Sequence, residues 1–443
     1  MINMKHDKKR SLLISTASLL LVCQFAFAQS IDFAPLDEKS SVLVGETVTI
    51  KSQFEGLPVV EPHISAHPRD NNHLLVAGMI VTDVNRPYQS CRLSSFVSSD
   101  GGQNWKETAH DWWGYDPWTA ILPDGNTVMT WLGTKGSFQS QFPLQFFSSD
   151  NGGISWNDQV QGFQGKGHGH DGTKVTALKN EFYYTTVRFN GDMGADVVLY
   201  RKEGNGAFEE VAFVDGKGVR LNFCEPAILT DGTVIVPSSH FMTKLWIQTY
   251  NHKEKRLGEK NLVTSRPGGA GGYMRMLADV HSTSKFKDRI YFIRALGRGE
   301  EHEGIWINYS DDKGVSWSRD TRIDLFDNEL PPRSLVPSIA VNEDGVVGIS
   351  WVDSQHDPSQ ELKDVYFTLS LDGGLSFQKP TRVTKRSTNP KTEANADVAR
   401  RFSGGGHYLG IDDKPDGSFQ LIWSDSRSGF FELQTCNIRF DKN

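Results

Sequence analysis

Cysteine is scarce in this 443-residue chain: Cys23, Cys91, Cys224 and Cys436 are the four copies, and none stands in a C-x-x-C spacing. That excludes a small disulfide-stapled fold and a cysteine-built zinc motif. Nowhere is there a sustained apolar period of three to four residues, which argues against a helical class. Beyond residue 28 no stretch is apolar enough to cross a bilayer. Positive charge is not in excess either, with 47 Lys and Arg against 54 Asp and Glu, formal net −7. Broad nucleic-acid binding, which rests on cationic surface, is therefore excluded as an expectation.

Residues 1–28 read differently from the rest. Lys5, Lys8, Lys9 and Arg10 precede the apolar run "SLLISTASLLLV", and "AFA" at 26–28 supplies small residues at a cleavage position. This predicts a secretory signal peptide cut before Gln29. The run is short for a membrane anchor, and "LLVC" lacks the small residues of a lipoprotein site. The segment carries four basic side chains and one acid, net +3, so its loss takes the formal −7 to −10. A secreted or periplasmic monomer without membrane insertion is expected. For Cys91, Cys224 and Cys436, one disulfide plus a thiol and three buried thiols fit equally.

What the chain does have is a repeated polar turn. "SSDGGQNW" at 98 returns as "SSDNGGISW" at 148, "SDDKGVSW" at 310 and "SLDGGLSF" at 370. Around these turns, short apolar strands followed by D-G-type turns and β-rich strands begin near 62, 117, 172, 226, 276, 337 and 409, the pattern of hairpins. A third strand runs into the polar turn and a fourth follows it. Four antiparallel strands repeated about seven times predict an all-β, seven-bladed β-propeller over residues 29–443, with a six-bladed one as the alternative. A strand within "SVLVGETVTI" (41–50) is placed to complete the last blade and cover an open edge. In each turn Asp accepts backbone N–H groups, Gly supplies positive φ and the aromatic tucks beneath the next blade. The octapeptide is scaffold.

These turns resemble the Asp-box, or BNR repeat, S-x-D-x-G-x-[ST]-W. Ser310, Asp312, Gly314, Ser316 and Trp317 match it throughout. Ser98, Asp100, Gly102 and Trp105 match with Asn104 in the hydroxyl place, and Ser370, Asp372, Gly374 and Ser376 match with Phe377 for Trp. The second copy reads as carrying one extra residue. The resemblance implies the sialidase-like superfamily, whose sialidases are usually six-bladed and whose seven-bladed relatives include polysaccharide lyases and rhamnosidases acting on uronate-containing glycans.

With the polar turns on one face, the first-strand starts and second-strand ends gather on the opposite face, where a concave site can form. First-strand starts bring Glu61, His63, Tyr115, Asp116, His168, His170, Asp171, Cys224, Glu225, Tyr273, Arg275, Arg333, His407 and Tyr408. Second-strand ends bring Lys135, Arg188, His240, Arg294, Asp353 and Asp425. Carboxylates and His suit proton transfer, and Arg suits carboxylate or sulfate recognition. The expected catalytic set is His170, Asp171, Glu225 and Asp116. Arg188, Arg275, His63, His168, His240, Tyr273, His407 and Tyr408 are expected to bind substrate. No cofactor is expected outright; the H-x-H of "GHGHDG" (167–172) leaves a divalent metal open.

Sialidases carry an arginine triad, a Tyr with a partnering Glu, an Asp acid/base and an Arg-Ile/Leu-Pro motif. Here "NRPY" at Arg86 lacks the middle residue, Glu225 in "FCEPAILTDGTVIVP" matches the strand that carries the Glu, and His240 stands where an Arg often follows. These departures point away from a true sialidase. The expected activity is cleavage of a glycosidic bond at or next to an acidic sugar by a glycoside hydrolase. A polysaccharide lyase acting on uronate glycans and a non-catalytic glycan- or protein-binding propeller are the alternatives.

Overall fold

In a computed structural model, the described residues are 40–135, 143–157, 161–163, 169–190, 194–240, 243–266, 268, 274–296, 303–326, 335–392 and 395–442. The signal-peptide expectation (1–28), His168, Tyr273 and Arg333 lie outside them.

Two short strands come first among the described residues, β1 (Ser40–Val44) and β2 (Val48–Ile50). Then come β3 (Val59–Ala66), β4 (Leu74–Val81), β5 (Cys91–Ser98) and the long β6 (Lys106–Ile121). They continue with β7 (Thr127–Lys135), β8 (Leu144–Ser149) and β9 (Gln161–Phe163). All seven strands β3 to β9 form one antiparallel sheet in chain order. It contains two four-strand meanders that share β6. One end of β6 pairs with β5 and the other with β7.

The next meanders are separate sheets. β10 (His170–Leu178), β11 (Glu181–Phe189), β12 (Ala195–Glu203) and β13 (Glu209–Val214) form the first. The second has a split inner strand, β14 (Leu221–Asn222) and β15 (Ala227–Ile228), followed by β16 (Val234–His240), β17 (Lys244–Asn251) and β18 (Arg256–Thr264). β19 (Met274–Ala278), β20 (Ile290–Leu296), β21 (Gly304–Ser310) and β22 (Thr321–Arg322) form the third. β23 (Leu335–Val341), β24 (Val347–Asp353), β25 (Asp364–Ser370) and β26 (Thr381–Arg382) form the fourth. The last sheet holds β27 (Gly410–Asp413), β28 (Phe419–Asp425) and β29 (Glu432–Lys442), with β1 and β2 both paired to β29. The first and last described strands are thereby held together, and the edge of β29 is covered.

The strand interiors are apolar on both faces because each sheet packs between two others. Ile339, Val347 and Trp351 pack on Ile293 and Ile305 of the preceding sheet, and Phe367 and Leu369 pack on Phe419 and Leu421 of the following one. Ile422 and Leu433 of the last sheet pack against Ile64, Val76 and Phe96 of the first. Each such side chain removed from water contributes about 1.5–3 kcal/mol. The described residues form one compact unit.

All four octapeptide turns use the same hydrogen bonds. The Ser98, Ser310 and Ser370 hydroxyls each donate to the turn's Asp Oδ1 at 2.8 Å and accept the N–H of Gly102, Gly314 or Gly374. In the second copy, Ser149 donates to Asn151 Oδ1 at 2.9 Å and accepts from Gly153 N–H. That copy therefore spans Ser149–Trp156 with no extra residue. Asn stands in the Asp place, which hid the register in the sequence. A helix is also present where no helical period was read: α1 (Ala396–Arg401), six residues long, precedes β27. Cys91, Cys224 and Cys436 are three buried thiols.

Candidate functional site

A recurring irregularity builds the site. The inner strands β3, β6, β10 and β23 each break register near their start, between Val60 and His63, Tyr115 and Trp118, Asp171 and Lys174, and Leu335 and Ser338. The displaced residue has positive φ each time: Glu61 (53°), Asp116 (54°), Gly172 (67°) and Val336 (46°). Three of these precede a proline, which normally forces extended backbone, so each stores about 1–3 kcal/mol of local strain. A bulge releases its extra residue from the ladder and re-aims the side chain. Of the four residues so released, two carry carboxylates, Glu61 and Asp116.

Both carboxylates meet the segment entering β27. The Tyr408 hydroxyl donates to Asp116 Oδ1 at 3.0 Å. His407 Nδ1 lies 3.1 Å from Glu61 Oε1, and its backbone N–H also reaches that oxygen at 3.3 Å. The Thr173 hydroxyl bonds the Asp116 carbonyl. Burial first, then the charges of Glu61 and Asp171, push the Asp116 carboxyl up to about 7. Burial also acts upward on Glu61, but the His407 hydrogen bond and the charges of His407 and Arg401 outweigh it and leave Glu61 lower than usual. The same hydrogen bond raises His407 against the opposing effect of burial. Two neighbouring acids thus have their proton affinities moved in opposite directions, Asp116 upward and Glu61 downward.

Beneath them lies a cationic floor. The Lys174 ammonium sits 3.3 Å from the Trp118 ring centroid and 3.7 Å from that of Tyr408, and has no hydrogen-bond acceptor among the described residues. Burial brings its amine down to about 7, although Glu225, Asp116 and Glu61 favour its charge. Arg275 lies over the same Trp118 at 4.5 Å, pairs through Nε with Glu225 Oε1 at 2.9 Å and donates to Ser338 Oγ at 3.0 Å. His63 packs its ring 3.9 Å from Trp118, with Nδ1 3.1 Å from Thr119 Oγ1; burial, then Arg275 and Lys174, keep it neutral. Under this layer a cavity of about 210 Å³ is lined by all seven meanders, among them His63, Trp118, Glu225, Arg275, Ile339 and Asp412.

The structure therefore brings Asp116, Tyr408 and His407 together with Glu61, and seats His63, Glu225 and Arg275 in the floor below. Other expected residues are engaged elsewhere, although Asp171 is near enough for its charge to act on Asp116. Arg188, read as an anion clamp, has its charge taken up by Glu210 at 2.7 Å and Asp196 at 4.0 Å. His170, read as a proton-transfer group, is buried with both ring nitrogens unpartnered among the described residues, and burial followed by Arg188 drops it to about 4. Asp171 is exposed and paired with Arg220 at 3.1 Å. His240 sits at the end of β16, bonded to Thr243. Arg294 is held inside by Asp320 and Asn308, and Asp425 by its near neighbour Arg427. Among the described residues no three His, Cys, Asp or Glu side chains converge on a metal position.

Lys174, Tyr88 and Arg401 went unread in the sequence. The signal for Lys174 was its place in "GTKV", which aligns with "EPHI" and "DPWT": His63, Trp118 and Lys174 occupy one register position after the bulge.

These features define a β-propeller. The sialidase of Trypanosoma rangeli, solved as a covalent intermediate with 2,3-difluorosialic acid, superposes with TM-score 0.50 at 12% identity, over 77% of this chain and 60% of that one. A GH93 α-L-arabinofuranosidase of Fusarium graminearum bound to arabinobiose gives 0.47 at 11%, over 89% and 98%. The BP39L lectin of Burkholderia pseudomallei gives 0.49 at 10%, over 73% and 84%. No family model and no curated protein sequence matches the chain.

Proposed function

We propose that this protein is a secreted or periplasmic glycoside hydrolase that cleaves a glycosidic bond at or next to an acidic sugar. The observation that carries the reading is Asp116, a half-buried carboxyl raised to about 7, oriented by Tyr408 and flanked by the lower-pKa Glu61. An acid poised near neutrality donates a proton to a departing sugar oxygen efficiently, because it is protonated at working pH and gives the proton up readily. The Glu61 carboxylate, kept ionised by His407, is the partner that faces positive charge developing on the sugar ring or directs a water. Lys174, an ammonium with no hydrogen-bond acceptor among the described residues, adds positive charge to the floor, which favours an anionic substrate. Residues 1–28 act as a cleaved signal peptide.

The test is incubation with uronate-containing and sialylated glycans. New reducing ends without an unsaturated chromophore are expected. An unsaturated product would replace this reading with a lyase, and binding without turnover would replace it with a lectin. In the active protein, Asp116→Asn should lower kcat by about 10²–10⁴-fold with little change in KM. Unaltered kcat would remove Asp116 from the mechanism.

A further inference from the structure

We propose that Arg401, at the end of α1, recognises the carboxylate of the substrate sugar. The inference rests on the glycan-acting reading above and names the residue that selects the acid.

Among the described residues, every other buried or half-buried arginine has a carboxylate within 4.0 Å. Arg188, Arg275, Arg289, Arg294, Arg382 and Arg427 are examples. Arg401 is half-buried too, yet no carboxylate pairs with it there. Its guanidinium carbon sits over two rings, 4.9 Å from the Tyr88 centroid and 4.8 Å from that of Phe402. A cation–π contact consumes none of the guanidinium's five N–H donors as a conventional hydrogen bond, so they remain available to an anion. A guanidinium already fixed by aromatic faces loses little freedom on binding, and its planar fork matches a carboxylate bidentately.

Its position connects to the chemistry. Tyr88 stacks on Tyr115 at 5.0 Å and 21°, and Tyr115 is the residue before Asp116. On the other side, α1 leads through Gly406 to His407 and Tyr408, the partners of Glu61 and Asp116. Tyr88 is 40% exposed, so this corner opens to solvent while the acids lie inward of it. A sugar whose carboxylate engages Arg401 would place its ring toward the two acids. The alternative anion clamps, Arg188 and Arg275, are already neutralised by Glu210 and Glu225.

The experiment is calorimetric titration in an Asp116→Asn background, which prevents turnover. The probes are a hexuronic-acid disaccharide and sialyllactose, each as free acid and as methyl ester. At least one free acid should bind about 10- to 100-fold more tightly than its ester. Arg401→Gln should bring acid and ester to the same affinity. Arg401→Lys, which retains the charge and the ring contact but loses the fork, should keep only part of the difference and guards against misfolding of the Gln variant. Failure of both acids to bind, or an acid-to-ester ratio untouched in both variants, overturns the assignment. Acid binding through Arg401 without turnover by the unmodified protein would leave it standing and sink the hydrolase reading; turnover with an unchanged ratio in Arg401→Gln would do the reverse.

Discussion

At the scale of single residues, the site depends on two acids whose environments differ. Asp116 is raised by burial and by neighbouring negative charge, while Lys174 and His407 act in the opposite direction. A proton donor is active below its pKa, so activity should fall as pH rises through about 7 if Asp116 is that donor. Removing the Lys174 cation takes away a term that favours the ionised form. Lys174→Met should therefore move this falling limb upward by roughly 0.5–1 pH unit. A pH–rate profile checks it; an unmoved limb with merely lower activity would make Lys174 a packing residue. The sequence made Asp116, His407 and Tyr408 legible because each stands at an inner-strand start. It hid Lys174, since a lysine in a strand is ordinarily a surface residue and only the bulge register turns this one inward.

At the scale of elements, one bulge repeated on four inner strands distributes the functional groups. The "EP", "DP" and "VP" dipeptides at 61, 116 and 336 mark it in the sequence, yet proline there reads as simple strand-entry punctuation. Helix α1 was less legible still, because six residues are too few to display a period. Its connection to β27 is tightly fitted. Gly406 has φ +125°, and a Cβ there would come 2.2 Å from Glu61 Cγ. Gly406→Ala should displace Glu61 from His407 and lower activity at least tenfold while the fold persists. Paired kinetics and circular dichroism decide this; full activity would show that the segment yields without disturbing the pair.

For the whole molecule, the octapeptide turns and strand starts carried most of the fold. Pairing of β1 and β2 with β29 could be anticipated from edge chemistry. Electrostatics of the central cavity could not, because that depends on which side chains the ring brings face to face. Asp412 lines the cavity and accepts the Ala66 N–H at 2.8 Å, and adjacent Asp413 lies 3.4 Å from His281. Burial, then mutual repulsion, raises Asp412 to about 8 from an ordinary 3.8, and burial raises Asp413 to about 7. Groups raised on folding favour the native state at low pH, and that contribution is lost as pH climbs through the folded values. Asp412→Asn should accordingly raise Tm more at pH 8.5 than at pH 4, in thermal melts. An equal or reversed effect would mean that channel water keeps Asp412 ionised.

The strand β6 ties the rim of the molecule to its axle. Its first half is the outermost strand of one meander, its second half the innermost of the next, and no loop intervenes. Apart from the bulge between Ala109 and Trp113, where its pairing with β5 shifts register, there is no connection here to take up slack. One residue inserted past that bulge, between Trp113 and Tyr115, would have to turn the outer half inside out or drag Asp116 off the Tyr408 hydroxyl. The reach of the acid into the centre is therefore gauged by a count of residues laid down at the periphery.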